Sequence, residues 1–267
     1  MYDNKRDKKV TIGGNNLQDP IIRINNLVYR RGTNIILDDV SMEIKRGSIV
    51  AIMGPSGVGK TTILRLICGQ LNPNNGTVEI NGHQISSLSQ RALYQCREDI
   101  GVLLQNGALF TDLTVFENIA TPLREHTDLG EQQIKNRVMA KLESVGLANT
   151  ADLMPHSLSG GMARRVALAR AVIMNPKIVL FDEPMTGLDP IAMSTVARLI
   201  RSTNDELGLT SVIVTHNVKQ MTKLVDYCFV LAGSKLIAEG SPQSLLHSNE
   251  PAVDQFMNGR VEGPLSF

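Results

Sequence analysis

The stretch GPSGVGKT, residues 54–61, lies between a short β-branched run, IVAIM (49–53), and a segment with helical spacing, TTILRLICG (61–69). It matches the pattern G-x-x-x-x-G-K-[ST] in the strand-to-helix context that this pattern requires. Glycines let backbone N–H groups wrap a phosphate, Lys60 places a charge between two phosphates, and the Thr61 hydroxyl can bind Mg²⁺. The stretch therefore predicts a P-loop and an α/β fold that binds a nucleoside triphosphate. The predicted phosphate-binding residues are Gly54, Pro55, Ser56, Gly57, Val58, Gly59, Lys60, Thr61 and Thr62.

A second buried-strand pattern, IVLFDE (178–183), ends in two acidic residues. Charge is costly at the end of a hydrophobic strand unless a cation or a reaction needs it. Beside a P-loop, Asp182 is predicted to hold Mg²⁺, and Glu183 is predicted to polarise a water for in-line attack on the γ-phosphate. An acid pair that caps the following turn is the alternative for this pair alone, and many P-loop proteins carry a comparable aspartate.

Strand and helix patterns alternate around these two motifs. The runs at 21–29 and 35–44 and the run that enters the P-loop predict strands of a mixed sheet, and Asn81–Gly82 predicts a hairpin turn. Further along, an amphipathic helix over 189–207 precedes a buried strand ending in SVIVTHN (211–217). This alternation favours a doubly wound α/β arrangement, in which ligands bind at the carboxyl ends of the strands.

Residues 88–174 are predicted to form an inserted helical subdomain, with one strand-like interruption at 100–105. Thr114 and Glu117 form a capping-box pattern for a helix that Pro122 is expected to end or kink.

The stretch LSGGMARRVALARA (158–171) places a serine and two glycines before an arginine-dotted helix. Small residues at a helix start let backbone N–H groups approach an anion, and the helix dipole adds to the attraction. The spacing of Met162, Val166, Ala169 and Ile173 predicts one apolar face, with Arg164 and Arg165 pointing outward.

Five motifs together resemble the ATP-binding cassette (ABC) ATPases: LSGGM before a helix, Gln105 ending a strand, Asp182–Glu183, GLDP (187–190), and His216 after a strand. The resemblance covers about residues 21–243, in the family's order. It implies a P-loop NTPase (RecA-like) core with an antiparallel β subdomain and an inserted α-helical subdomain. It also implies ATP and Mg²⁺ as cofactors, and a homodimer in which Ser159, Gly160 and Gly161 bind the γ-phosphate of the ATP held by the other chain.

The same resemblance assigns further roles. Gln105 would join Mg²⁺ and water, Glu183 would be the general base, His216 would contact the γ-phosphate, and Asp189 would couple the two sites across the dimer. Lys60 is implied in catalysis as well as binding. Two positions depart from the family pattern. Met162 replaces the usual glutamine, and Arg31 stands where an aromatic residue usually stacks on adenine. A guanidinium can stack on a base, so Arg31 is predicted to do so, with Tyr29 nearby but out of register.

Stretches such as NGALFTDLTVFENIATPLREHT (106–127) and FMNGRVEGPLSF (256–267) resemble the ATPase subunits of the Mla phospholipid transporters of Gram-negative envelopes. This resemblance implies a membrane permease (MlaE-like), a small regulatory subunit (MlaB-like) and a lipid-binding MCE protein (MlaD-like). It implies a peripheral position on the cytoplasmic face of the inner membrane. The permease contact is then expected at Leu109, Phe110, Leu113, Val115 and Phe116, which could equally be core residues of the helical subdomain.

Three other functions remain open at this point. An importer ATPase for an amino acid or a metal would share every catalytic motif. A soluble ABC ATPase that acts on the ribosome or on a nucleic-acid complex usually fuses two cassettes or inserts a coiled coil, and this chain has one cassette and no heptads. A P-loop kinase has no use for LSGG or His216.

Composition agrees with a globular ATPase. The 267 residues carry a net charge of +1, which argues against bulk electrostatic binding of nucleic acid. Three separated cysteines suggest neither zinc nor a disulfide framework, and no apolar run is long enough to span a bilayer.

Two terminal segments lie outside the motifs. Residues 1–20 are predicted to be a flexible tail, and 21–243 to be the ATPase domain. Residues 244–267 are predicted to be a C-terminal extension, an extended arm whose Phe256 and Phe267 dock on a neighbouring ATPase subunit.

Overall fold

The computed structural model describes residues 20–265, so residues 1–19 of the predicted N-terminal tail and Phe267 lie outside the described residues. The strands are β1 (Pro20–Arg31), β2 (Asn34–Lys45), β3 (Ile49–Met53), β4 (Asn75–Ile80), β5 (His83–Gln84), β6 (Ile100–Leu103), β7 (Ile178–Asp182), β8 (Thr210–Thr215), β9 (Tyr227–Ala232) and β10 (Lys235–Gly240). The α-helices are α1 (Lys60–Ile67), α2 (Gln90–Glu98), α3 (Val115–His126), α4 (Glu131–Ser144), α5 (Gly160–Val172), α6 (Pro190–Leu207), α7 (Val218–Met221), α8 (Pro242–Leu246) and α9 (Pro251–Asn258).

The central sheet has six strands in the order β10-β9-β3-β8-β7-β6, and every neighbouring pair except β9–β10 is parallel. All residues of β3, β7 and β8 are buried, as expected for strands covered on both faces. Because β3, β8 and β7 are adjacent, the P-loop, His216 and Asp182 all emerge at one edge of the sheet.

A second sheet of four antiparallel strands has the order β2-β1-β4-β5. The expectation that the first three strand patterns share one mixed sheet is wrong, because β1 and β2 belong here and β3 belongs to the central sheet. Buried and exposed residues alternate along most of β2, whereas β3 is buried throughout, so the two strands suit a one-sided and a two-sided sheet respectively. The predicted turn joins β4 to β5, with positive φ at Asn81 (52°) and Gly82 (77°).

The helical segment has its own apolar core between α3, α4 and α5, formed by residues such as Ile119, Val138 and Val166. The strand-like interruption is β6, which pairs with β7 at the edge of the central sheet. Thr114 caps α3 by accepting a hydrogen bond from the Glu117 N–H at 3.2 Å. Pro122 does not end this helix, since α3 continues to His126. Full burial of the neighbouring apolar side chains outweighs the backbone hydrogen bond that proline cannot make.

The C-terminal residues are not an extended arm, because they include the helices α8 and α9. Val253 and Met257 are buried in the core on one face of the central sheet, and Phe256 packs partly buried against the same core. The Gln255 side chain then holds the last described residue, accepting from the Leu265 N–H at 2.7 Å and donating to its carbonyl at 3.1 Å. Of the helices within 20–265, none combines the length and apolarity needed to cross a bilayer.

Candidate nucleotide-binding site

A cleft of about 610 Å³ opens at the carboxyl edge of the central sheet, and we call it the P-loop cleft. It brings together residues that are far apart in the sequence. Of the predicted site residues it is lined by Arg31, Ser56, Gly57, Gly59, Lys60, Thr61, Thr62, Gln105, Asp182, Glu183 and His216. The cleft therefore unites the P-loop with the acidic pair, Gln105 and His216.

The P-loop presents backbone N–H groups at the start of α1. Gly59, the N-cap, has φ 106° and carries no side-chain cap, so the first N–H groups of the helix face the cleft without a competing acceptor. A Cβ at Gly54 (φ 155°) would lie 2.4 Å from the Leu231 carbonyl oxygen, so the loop needs glycine there. The Lys60 ammonium donates to the Gly54 and Pro55 carbonyls at 2.8 Å each. Burial lowers the pKa of Lys60, and the charges of Glu183 and Asp182 oppose that shift.

The Thr61 hydroxyl donates to Asp182 Oδ1 at 3.1 Å. Burial raises the pKa of Asp182, partly offset by this hydrogen bond, so a cation beside the carboxylate would be favourable. Hydroxyl and carboxylate oxygens are the ligands that Mg²⁺ prefers, and Mg²⁺ usually keeps waters and phosphate oxygens in the rest of its shell. Across residues 20–265, no group of three or more His, Cys, Asp or Glu side chains could hold a metal alone. The donors fit an Mg²⁺ ion that arrives with a nucleotide.

Glu183 follows β7 in the left-handed region, at φ 48°. Its carboxylate is held on both oxygens: Oε2 accepts from the Thr186 and Thr215 hydroxyls at 3.0 and 3.1 Å, and Oε1 lies 2.8 Å from His216 Nδ1. Its N–H donates to the Val214 carbonyl at 3.0 Å. Strained backbone of this kind persists where the surroundings over-determine it, as at a catalytic site.

Gln105 is exposed in the loop after β6. Two arginines of α5 donate hydrogen bonds to main-chain carbonyls of this loop. Arg170 donates to the Gly107 and Ala108 carbonyls at 2.7 and 2.8 Å, and Arg164 donates to the Leu104 carbonyl at 3.1 Å. The prediction that Arg164 points outward is wrong, since only 8% of it is exposed. The helix packs on more than one side, so its polar residues cannot all reach solvent.

The P-loop cleft contains more residues than the sequence indicated. Tyr29 lines the cleft together with Arg31, from which it is separated by one residue of β1. Ile36, Arg65 and Leu71 also line it and were not predicted. Of these, only Arg65 had a signal in the sequence, since it lies one helical turn after Thr61 on α1.

A second cleft of about 390 Å³ contains Ser159, Gly160 and Gly161, and we call it the Ser159 cleft. It shares no lining residue with the P-loop cleft. The N-termini of α5 and α6 both open here, and at Gly161 an added Cβ would lie 3.1 Å from the Ala192 Cβ. The two helix N-termini and the Arg165 guanidinium favour an anion here, whereas the Asp189 carboxylate in the same lining opposes one.

Side chains cap both of these helices. Ser159 accepts from the Met162 N–H at 3.3 Å. Asp189 accepts from the Ile191 and Ala192 N–H groups at 2.9 and 3.0 Å, and these backbone bonds lower the pKa of Asp189.

The segment expected to contact a permease is only partly available. Val115 is fully buried in the core of the helical segment, so its inclusion is wrong. Leu109, Leu113 and Phe116 are half-buried. Phe110 is 49% exposed, with the Arg170 guanidinium 5.5 Å from its ring centroid.

The fold and the two clefts define an ATP-binding cassette. The chain belongs to the ABC transporter family, whose model matches residues 37–186, and it is an ATPase of that family; the fold predicted from the sequence is confirmed. A Haemophilus influenzae relative, the "Intermembrane phospholipid transport system ATP-binding protein MlaF", is 49% identical over 247 residues, 92% of this chain and 94% of the relative.

Two solved structures have the same fold as this chain. The cbiO1 protein of Clostridium perfringens, part of the ABC transporter complex cbiONQ, superposes with a TM-score of 0.80 at 31% identity, covering 91% of this chain and 96% of its own. A cassette solved as a dimer in a post-hydrolysis state with ADP and Pi gives a TM-score of 0.75 at 32% identity, covering 83% and 98%.

Proposed function

We propose that this chain is the ATP-hydrolysing subunit of a transporter that moves phospholipid between the inner and outer membranes of a Gram-negative envelope. The observation that carries the proposal is 49% identity over 92% of the chain to an ATP-binding protein named for intermembrane phospholipid transport. Its partners are then a membrane permease (MlaE-like), a small regulatory subunit (MlaB-like) and an MCE protein (MlaD-like). Its place is the cytoplasmic face of the inner membrane.

Two chains would bind two ATP molecules in a head-to-tail homodimer. The P-loop cleft and the Ser159 cleft are separate in one chain, which supports an arrangement where each ATP meets the P-loop of one chain and Ser159, Gly160 and Gly161 of the other. The related cassette solved as a dimer with ADP and Pi also supports it.

In this assignment the residues of the P-loop cleft divide the chemistry. Backbone N–H groups of residues 54–62, apart from Pro55, and the Lys60 ammonium bind the β- and γ-phosphates. Thr61, Asp182 and Gln105 would hold Mg²⁺, which neutralises phosphate charge when bound. Glu183 takes the proton of the attacking water as the bond between the γ-phosphorus and the bridging oxygen breaks, and ADP leaves. His216 orients the Glu183 carboxylate and contacts the γ-phosphate.

The deciding experiment is affinity purification of the tagged full-length chain from membranes in mild detergent, with mass spectrometry of both proteins and lipids. A multispanning permease, an MCE protein and bound phospholipid are the expected companions. Ribosomal proteins, or a permease without lipid, would overturn the phospholipid assignment and leave the ATPase standing.

A matched variant sharpens the result. Glu183→Gln is expected to retain the same partners and to abolish ATP-dependent lipid transfer between vesicles carrying the purified complex and acceptor vesicles. Lipid transfer that persists in this variant would show that the movement does not use ATP hydrolysis.

A further inference from the structure

One buried arginine contacts the backbone beside two residues of the P-loop cleft, although it does not line that cleft. The Arg164 guanidinium donates through Nη1 to the Leu104 carbonyl at 3.1 Å and through Nη2 to the Thr186 carbonyl at 3.4 Å. Leu104 directly precedes Gln105. Thr186 donates its hydroxyl to Glu183 Oε2 at 3.0 Å. Arg164 is therefore one residue from Gln105 and two hydrogen bonds from Glu183.

Burial of the Arg164 guanidinium costs free energy, because the charge loses its contact with water. Only 8% of it is exposed, and burial lowers its pKa. Within residues 20–265 its hydrogen-bond partners are the two main-chain carbonyls, with no carboxylate to balance the charge. An apolar side chain of similar length would fill the space without that cost. The feature that an apolar side chain cannot supply is a planar fork that binds two diverging carbonyls at once.

The same helix connects Arg164 to the Ser159 cleft. Arg164 lies one turn after Gly160, the first residue of α5, and Gly160 and Gly161 line that cleft. A helix turn is rigid, so a shift of the α5 N-terminus on binding an anion carries Arg164 with it. The displacement would reach the Leu104 and Thr186 carbonyls together.

We propose that Arg164 is a positioning residue that links the Ser159 cleft to Gln105 and Glu183 of the P-loop cleft in the same chain. The two hydrogen bonds of its guanidinium fix the position of the Leu104 and Thr186 backbone, which lies beside the reacting phosphate. Arg164 therefore affects turnover and not nucleotide affinity. The inference rests on the proposed anion site of the Ser159 cleft, and it does not depend on what the transporter moves.

Arg164→Met in the full chain tests the positioning role. We expect kcat for ATP hydrolysis to fall about 10- to 100-fold, because small misplacements of catalytic groups cost rates of this order. The Kd for a fluorescent ATP analogue should stay within about twofold, since the residues that contact the phosphates are unchanged. A normal kcat, or an increase in Kd that accounts for the lost activity, would overturn the proposal.

Arg97→Met is the matched control. Arg97 also donates to two main-chain carbonyls, those of Cys68 and Gly69 at 2.9 and 3.0 Å, but it lies on α2 and does not contact the loops of Gln105 or Glu183. We expect it to keep kcat within about twofold of the parent, whatever thermal stability it loses. An equal fall of kcat in both variants would assign the Arg164 effect to general destabilisation and refute the positioning role.

Two further variants complete the test. Arg164→Lys keeps the charge but reaches only one carbonyl, so an intermediate kcat is expected; full activity in this variant would overturn the proposal even if Arg164→Met does not fold. Combining Arg164→Lys with Ser159→Ala measures the link between the clefts. Non-additive effects on kcat are expected, and additive effects, including a silent Ser159→Ala, would remove the link.

Discussion

His216 Nδ1 lies 2.8 Å from Glu183 Oε1, while two threonine hydroxyls donate to the other oxygen of the same carboxylate. An ionised carboxylate only accepts hydrogen bonds, so the Nδ1 atom carries the proton of a neutral His216. Its Nε2 atom is then an acceptor that can face the cleft. The contact between Glu183 and His216 therefore fixes both the orientation of the carboxylate and the tautomer of the histidine.

Replacing Glu183 with glutamine should separate binding from hydrolysis. The amide keeps the size of the side chain but cannot take a proton from water. We expect Glu183→Gln to bind ATP, to accumulate as an ATP-dependent dimer, and to lose at least about 100-fold in turnover. Phosphate release measures turnover, and light scattering after separation of monomer from dimer measures the ATP-dependent dimer. Normal turnover in the variant would disprove the general-base assignment.

Asp189 caps α6 and is also predicted to couple the two ATP sites, and two substitutions separate these roles. Asparagine is a good N-cap and alanine is not, so Asp189→Ala should lower Tm at neutral pH and Asp189→Asn should largely keep it. Backbone hydrogen bonds lower the pKa of Asp189 in the folded state. Its contribution is therefore present above the unfolded pKa and is lost as pH falls through the folded pKa, so the Tm difference between parent and Asp189→Ala should shrink in acid.

The coupling role is read from ATP turnover at neutral pH. Lower turnover in Asp189→Asn, with the cap retained, is expected if the charge couples the sites. Ser241→Ala, which removes the cap of α8, is the control and should leave turnover unchanged. Parent-like turnover in Asp189→Asn would limit Asp189 to its capping role.

Phe110 and Val115 lie in one segment but differ in burial. Val115→Ala should lower the free energy of unfolding by about 1–3 kcal/mol, because it removes fully buried methyl groups and leaves a cavity. Phe110→Ala should cost less than about 1 kcal/mol, since the ring is half-exposed. Urea unfolding checks both. If Phe110 contacts the permease, its variant alone loses co-purifying permease; retention of the permease by Phe110→Ala would remove it from that contact.

The position of a C-terminal truncation decides what it tests. Ending the chain after Ser248 removes α9, and the core loses Val253 and Met257, whose burial contributes about 1.5–3 kcal/mol each. We expect that truncation to lower Tm strongly. Ending the chain after Gly259 keeps α9 and should leave Tm close to the parent value. A normal ATP-dependent dimer in the Gly259 truncation would exclude docking of Phe267 on a neighbouring subunit.

The parts of the fold that could be predicted are those with strong local signals. The P-loop follows from eight consecutive residues, and the Asn81–Gly82 hairpin turn follows from two. Pro122 does not end α3, because packing of the helix overrides a local preference. Arg164 misled because a charged residue on a helix usually faces solvent, and nothing local shows that a loop sixty residues earlier covers it. Tyr29 was set aside because it lies two residues before the usual stacking position, yet it lines the same cleft as Arg31.

The left-handed backbone of Glu183 sets activity against thermal resistance. Most residues with a Cβ are strained at φ 48°. Asparagine tolerates that conformation with less strain, and so does glycine, which has no Cβ. The lost threonine and histidine contacts would offset part of the relief. A screen of variants of this chain for heat tolerance alone would therefore select substitutions at position 183 that inactivate the protein. A screen that also requires ATP turnover would retain Glu183 and its strained backbone.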